Sequence, residues 1–342
     1  MSVRFATHDE VAHWDDFILS QNGGNVFASP VYALIKMHGG YTPRYVMVGK
    51  TAVTVLEKRT PLGRWWYLPK GPLVSSAGEL MSLVDELKPF AHSRGVFMMK
   101  TESELLATEA AGLAAAGYQK VKPVIPNPST ITLDISADTE TLLTSLPQKG
   151  RHAIRRAERD GVTIRSVAVT GDTAKTMFGL LSDTASGQFG LRPYSYYQQY
   201  WTRFAEAGLG QLFFAEFEGR IVAGAFAMVY GQKSTYKDGA SVRDRKVYGA
   251  SHLLQWHVIK WAKEHGSLLH DFCGSPPTAD LANTKHALYG VGRFKQSFSK
   301  HVVDYIGCYD VIIRPTAYRL WRKIGERIAH KLFFMTRRDY YY

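Results

Sequence analysis

One order of predicted elements occurs twice along the 342 residues: helices, then a meander of strands, then a strand–helix–strand unit. In the first passage, residues 10–38 read as helices, and Tyr45 to Leu56 reads as two strand-like segments. Trp65 to Leu68 follows as a third strand, and Pro69-Lys70-Gly71-Pro72 as a turn. Leu80 to Arg94 is helical, with Leu80, Leu83, Val84, Leu87 and Phe90 at helical spacing on one stripe. Val96 to Lys100 is a strand, and Glu104 to Ala116 a helix ending at Gly117. The second passage runs through helices at Lys149 to Arg159, Thr173 to Ser186 and Tyr194 to Ala207. A hairpin of Gln211 to Glu218 with Arg220 to Tyr230 turns at Glu218-Gly219. A strand at Ser234 to Gly239, a helix at His252 to His265 and a strand at Leu268 to Cys273 complete it. Only the layout recurs, since internal identity is weak. It predicts an α/β chain with a mixed sheet built twice.

Length alone favours two domains. The join is expected near Pro123 to Ser129, where Pro123, Pro126 and Pro128 cluster. Past residue 300 the chain is expected to make one strand, Asp304 to Val311, and then a basic helix, Ala317 to Phe334. The formal charge of +12 and pI near 9.5 favour polyanionic partners, namely nucleic acid, anionic lipid or a phosphorylated substrate. Two cysteines, Cys273 and Cys308, exclude a disulfide framework and any CxxC metal site. The first residues lack an apolar signal region, and no apolar run approaches the roughly 20 residues a membrane span requires. A cytoplasmic location is expected, with the inner face of the plasma membrane as an extension of it.

Several residues could carry chemistry. Phe294-Lys295 lies in Gly292-Arg293-Phe294-Lys295-Gln296-Ser297-Phe298, ahead of a strand-like run. A fixed cation in a dry site stabilises the oxyanion of an acyl transfer; the plainer account is a surface lysine on a strand end. Arg192 precedes Pro193 at the mouth of a helix, four residues before Tyr196, where a guanidinium can bind phosphate bidentately. Lys36 ends an apolar helix, which it could also simply cap. Tyr236 is either a packed tyrosine or one that faces substrate. Glu102 follows a strand, and a helix N-terminus would account for it. Arg151, Arg155 and Arg159 share one helix face behind Lys149, either as a solvated face or as a stripe for tRNA phosphates. The C-terminal helix carries Arg319, Arg322, Lys323, Arg327 and Lys331 beside Leu320, Trp321, Ile324, Ile328 and Leu332. That pattern fits a helix docked on the first module or one lying at a membrane surface. No Gly-x-Ser-x-Gly elbow and no His-Glu-x-x-His metal site occurs.

Taken in order, the helix ending at Lys36, the basic start at Lys149, the Arg192-Pro193-x-x-Tyr196 step and Phe294-Lys295 resemble the Fem-type (FemABX) peptidoglycan bridge aminoacyltransferases. The resemblance is densest from Leu133 to Arg165 and from Phe226 to Gly307. It implies two tandem acetyltransferase-like (GNAT-type) modules, in the compact form without a coiled-coil arm. The first would comprise 1–128 plus 307–342 and bind precursor; the second, 129–306, would carry acyl transfer and the tRNA side. It implies that aminoacyl-tRNA donates to a stem-peptide amine of UDP-MurNAc-pentapeptide or lipid II, with no cofactor and no metal. Phe294, Lys295 and Phe298 match the family's transfer-centre pattern, and Arg192 with Tyr196 its diphosphate contact. Lys36 would be a second phosphate contact, and Tyr236 would face substrate. At Glu102 the chain departs from the family's Arg-x-Asp-Pro-like step. Lys149, Arg151, Arg155 and Arg159 fall in a family signature that would face tRNA. The alternative is an acyl-CoA-dependent N-acyltransferase. Its phosphate loop would be Lys246-Val247-Tyr248-Gly249-Ala250-Ser251, which fits the acyl-CoA pattern imperfectly.

Overall fold

The computed structural model describes residues 2–126, 128–185, 190–242 and 247–342. The chain divides into two units, Met1–Pro128 with Asp304–Tyr342, and Ser129–Val303. Each unit holds one mixed sheet, and the two sheets have the same plan.

In the first unit the strand order is Val3–Phe5, Thr42–Val48, Thr51–Thr60, Gly63–Leu68, Val96–Thr101, Cys308–Ile312 and Gln119–Val121. In the second it is Thr163–Val167, Gly210–Phe217, Arg220–Tyr230, Lys233–Ser241, Leu269–Gly274, Ser129–Asp134 and Val302–Asp304. In both, the fourth and fifth strands run parallel, among antiparallel neighbours. A parallel pair needs a crossover, and a helix supplies it in each case: Ala77–Ser93 and Ala250–Glu264. The Ala77–Ser93 helix starts at Ser76, whose hydroxyl accepts from the Glu79 amide, and buries Leu80, Leu83, Val84 and Leu87. Ala250–Glu264 buries Leu253, Leu254, Trp256, Val258 and Ile259, so it is apolar on more than one side. It needs cover beyond the sheet, and the Gln148–Arg159 helix provides it with Ala153, Ile154 and Ala157. Burial of a residue such as Ile154 is worth about 2 kcal/mol.

Three expectations are corrected. Asp304 to Val311 is not one strand. Val302–Asp304 belongs to the second sheet and Cys308–Ile312 to the first, and the chain turns between them at Gly307, φ +81°. The expected helix Glu104–Ala116 shortens to a 3-10 turn, Ala107–Glu109, and a short helix, Ala110–Ala115. Leu106 is drawn into a bridge with Tyr305, which holds the preceding residues extended. The C-terminal helix buries Trp321 alone of its expected apolar stripe; Leu320, Ile324, Ile328 and Leu332 are exposed.

Candidate active site

The two sheets differ where their parallel strands end. In the first unit, pairing runs from Arg64 opposite Val96 to Leu68 opposite Thr101. In the second it covers only Lys233–Thr235 opposite Leu269–Asp271. Beyond Thr235 and Asp271 each strand departs from regular geometry. Lys237 is an extra residue opposite Phe226–Ala227, so the Lys233–Ser241 strand bulges there. On the other strand the register slips between Asp271 and Gly274, and Cys273 takes φ +59°, a left-handed conformation uncommon for a residue with a Cβ.

Asp271 explains that conformation. Its carboxylate Oδ1 accepts from the Cys273 amide at 2.7 Å and from Thr130 Oγ1 at 2.5 Å; Lys233 Nζ lies 3.4 Å from Oδ2. The turn aims two successive carbonyls the same way, and Lys295 Nζ donates to both, Cys273 at 3.0 Å and Gly274 at 2.6 Å. Lys295 is the last residue of the Tyr289–Lys295 helix and is buried, so the surface strand-end account is wrong. Burial lowers its pKa to about 8, while the Cys273 thiol and the Asp271 carboxylate partly hold it up. The Cys273 thiol itself is pushed up to about 12, chiefly by burial. Asp271→Asn keeps an acceptor for the Cys273 amide but removes the charge. The alkaline limb of the pH–rate profile is then expected to move to lower pH; an unmoved limb would make Asp271 a purely structural residue.

Phe294 packs its ring against His252 at 4.9 Å and Phe298 at 5.5 Å, so it faces the apolar core. Tyr236 folds over its own strand. A side chain at Gly239 would begin 3.0 Å from a carbon of the Tyr236 ring and closer still to its hydroxyl. Burial raises the Tyr236 pKa, with Asp238 and Cys273 adding to it. The Arg192 guanidinium lies 4.6 Å from the centre of the Tyr196 ring, at the start of the Tyr194–Glu206 helix. Tyr196 and Tyr197 also influence Lys237. Burial works against that ammonium, but Asp238, 3.0 Å away, and the two phenols raise its pKa above the ordinary value. Asp238 is fixed in turn by Trp201 Nε1 at 2.9 Å. The second unit therefore assembles Lys295 and Tyr236 about Cys273, and Arg192 and Tyr196 toward Lys237. Asp271, Lys237 and Asp238 were missed as site residues, because no spacing in the sequence announces a bulge.

The helix expected to face tRNA is Gln148–Arg159. Lys149, Arg155 and Arg159 are exposed. Arg151 is half-buried, and one guanidinium nitrogen, Nη1, donates to the Thr144 and Leu146 carbonyls, tying down the end of the preceding helix, Thr139–Ser145.

In the first unit, Lys36 is buried, its ammonium 5.0 Å from the Tyr41 ring centre and 5.9 Å from that of Tyr32. It is the next-to-last residue of the Pro30–Met37 helix, and burial rather than solvent exposure defines it. Glu102 is not at a helix N-terminus. Its carboxylate is buried, accepting from the Tyr67 hydroxyl and from the amides of Val124 at 2.5 Å and Ile125 at 3.3 Å. Burial raises its pKa against the pull of Lys70 and these donors. It lines a small cleft with Lys70, Ser103, Pro123, Ile125 and Tyr305.

For the acyl-CoA alternative, Lys246 lies outside the described residues. Gly249, φ +82°, serves helix packing: a side chain there would begin 3.1 Å from the Ala153 carbonyl carbon, and closer to its oxygen. Among the described residues no group of three or more His, Cys, Asp or Glu side chains could hold a metal, and no helix is long and apolar enough to cross a membrane.

Twice-built mixed sheets, each with a helix crossing over a central parallel pair, define a tandem acetyltransferase-like fold. A solved tandem GNAT protein from the clavulanic acid pathway has it, with TM-score 0.50 and 15% identity over 91% of this chain and 99% of that one. The crystal structure of FemX superposes with TM-score 0.79 and 21% identity over 94% and 99% of the two chains. Residues 211–325 match the FemAB family. Over those residues, about a third of its length, the chain is similar to the Fem-type family, and the FemX superposition extends the shared fold over nearly the whole chain. A lipid II:glycine glycyltransferase of Staphylococcus aureus is 22% identical over 402 aligned positions, covering 92% of this chain and 94% of that protein. That of Staphylococcus epidermidis is 32% identical over 124 residues, 36% of this chain but only 29% of the relative's length.

Proposed function

We propose that this protein transfers an amino acid from aminoacyl-tRNA to a stem-peptide amine of a peptidoglycan precursor, UDP-MurNAc-pentapeptide or lipid II. The observation that carries the reading is Lys295, a buried ammonium held by two carbonyls where the second unit's parallel strands part. The neutral amine nitrogen attacks the ester carbonyl and negative charge gathers on its oxygen; the nitrogen then gives up a proton, the bond to the tRNA ribose oxygen breaks with that oxygen taking up a proton, and an amide forms. A fixed cation stabilises that oxygen in a site shielded from water. The donor is an activated ester, so the reaction calls for no nucleotide hydrolysis. The names of the staphylococcal relatives support a transferase acting on a lipid-linked acceptor.

Arg192 and Lys36 are the proposed phosphate contacts of the second and first units, with Tyr196, Tyr236 and Glu102 shaping the substrate surfaces of their own units. Phe294, packed on His252 and Phe298, anchors the helix end that carries Lys295. Lys149, Arg155 and Arg159 are proposed for tRNA phosphates, with Arg151 bracing their helix. Arg192→Ala is expected to raise the precursor KM about tenfold, the loss of one charge-assisted hydrogen bond, with kcat little changed; an unchanged KM removes the assignment. The test of the whole reading is a transfer assay with charged tRNA and either precursor, and acyl-CoA in parallel. Mass gain by one amino-acid residue, abolished by ribonuclease, is expected. Acylation with acyl-CoA and none with tRNA would overturn the reading.

A further inference from the structure

The C-terminal segment forms three consecutive helical stretches, Pro315–Leu320, Trp321–Gly325 and Glu326–Arg337. Trp321 anchors the segment in the first unit, and on the other side Leu320, Ile324, Ile328 and Leu332 follow one another every four residues with Met335 beyond. These side chains are 43% to 62% exposed, unlike the scattered surface leucines of an ordinary monomer. At 1.5 Å per residue the row is about 22 Å long. Phe334 is exposed as well. The charge beside the row has one sign: Arg319, Lys323, Arg327, Lys331, Arg337 and Arg338 are all exposed. The one carboxylate in the stretch, Glu326, is taken by Arg322 and the Tyr342 hydroxyl.

We propose that this face is a docking surface for an anionic lipid bilayer. A second protein copy would meet its own cations across an isologous contact, which disfavours self-association. An anionic headgroup layer answers both halves of the pattern: the apolar row sinks to the acyl boundary while the long basic side chains reach the phosphates. The same unit extends the surface. Phe333 comes within 4.0 Å of where a side chain at Gly40 would begin, three residues past the Pro30–Met37 helix, whose Leu34 and Met37 are also exposed. The proposal stands on this surface and does not depend on the acceptor assigned above.

The full chain should co-sediment with vesicles containing phosphatidylglycerol, and much less with pure phosphatidylcholine. Arg327→Gln with Lys331→Gln should weaken binding about thirtyfold, at roughly fivefold per cation. Ile328→Glu with Leu332→Glu should abolish it. All four positions are exposed, so unchanged thermal melting is the control for folding. Equal binding by wild type and both variants would overturn the proposal. So would a concentration-dependent dimer in vesicle-free buffer that the glutamate variant dissolves, which would make the face an interface between copies. Transfer to the water-soluble nucleotide-linked precursor should be unaffected by either double variant, so a failure of the transferase reading is seen separately.

Discussion

Replacing Lys295 by methionine is expected to lower kcat by about 10²–10³-fold, the usual cost of one oxyanion-stabilising donor, with precursor affinity unchanged. Methionine keeps the length and apolar stem of the side chain but cannot donate to the Cys273 and Gly274 carbonyls or to a developing oxyanion. The wild-type enzyme should reveal the same group through pH. A lysine held near pKa 8 is charged at neutral pH and loses its proton above that value, so the rate should fall on the alkaline side with a midpoint near 8. For stability, the folded pKa of about 8 lies below the ordinary 10.5, so the unfolded chain holds the proton more tightly. The burden of the buried charge is fully present below pH 8 and is relieved as pH rises toward 10.5. Melting therefore separates structure from chemistry: relief of the buried charge offsets the loss of the bonds to the Cys273 and Gly274 carbonyls, so the variant should lose rate with little change in thermal stability at neutral pH. Wild-type turnover by the variant, or a rate that rises through pH 8, would remove the oxyanion role.

Much of the fold is legible in the sequence because its signals are local. The apolar stripe from Leu80 to Leu87, the hairpin at Glu218-Gly219 and the helix after Pro193 each rest on spacing or turn chemistry within a few residues. The strands that were missed are short or lack a clean alternation, such as Gln119–Val121 and Thr163–Val167, whose place depends on neighbours distant in sequence. The site is less legible for the same reason. Lys295 could be singled out by its motif, yet what holds it is a left-handed Cys273 imposed by Asp271, and that arrangement exists only once Ser129–Asp134 pairs beside it. Glu102 shows the converse. Its position after a strand was evident, but its partners at Val124 and Ile125 come from a proline-rich stretch more than twenty residues on, with no periodicity to place them. The C-terminal row was readable as apolar, and only the structure shows that most of it is left uncovered.

Gly150→Ala is expected to be a strongly damaging small substitution in the second unit. The added carbon would lie 3.0 Å from the Ser297 carbonyl carbon and nearer still to its oxygen. The obstacle is backbone, so no rotamer change relieves it. Either the Gln148–Arg159 helix moves off the Ala250–Glu264 helix, exposing Ala153 and Ile154, or the turn after Lys295 gives way. Overpacking of this kind costs about 1–3 kcal/mol or more, a melting temperature lower by roughly 2–12 °C in a unit of this size. The second route has a catalytic signature, because Ser297 is bonded to the Phe294 carbonyl through both amide and hydroxyl. A shift at Ser297 is thereby passed to Lys295, and kcat should fall even at temperatures where the variant is folded. Gly179→Ala supplies the comparison of opposite sign. It lies exposed within the Gly171–Ala185 helix with nothing within 4 Å, so alanine there should stabilise by about 1 kcal/mol through helix propensity alone. If Gly150→Ala melted and turned over like wild type, the close approach of the basic helix to the Lys295 turn would not exist in solution. That helix would then be free to serve tRNA without bracing the transfer centre.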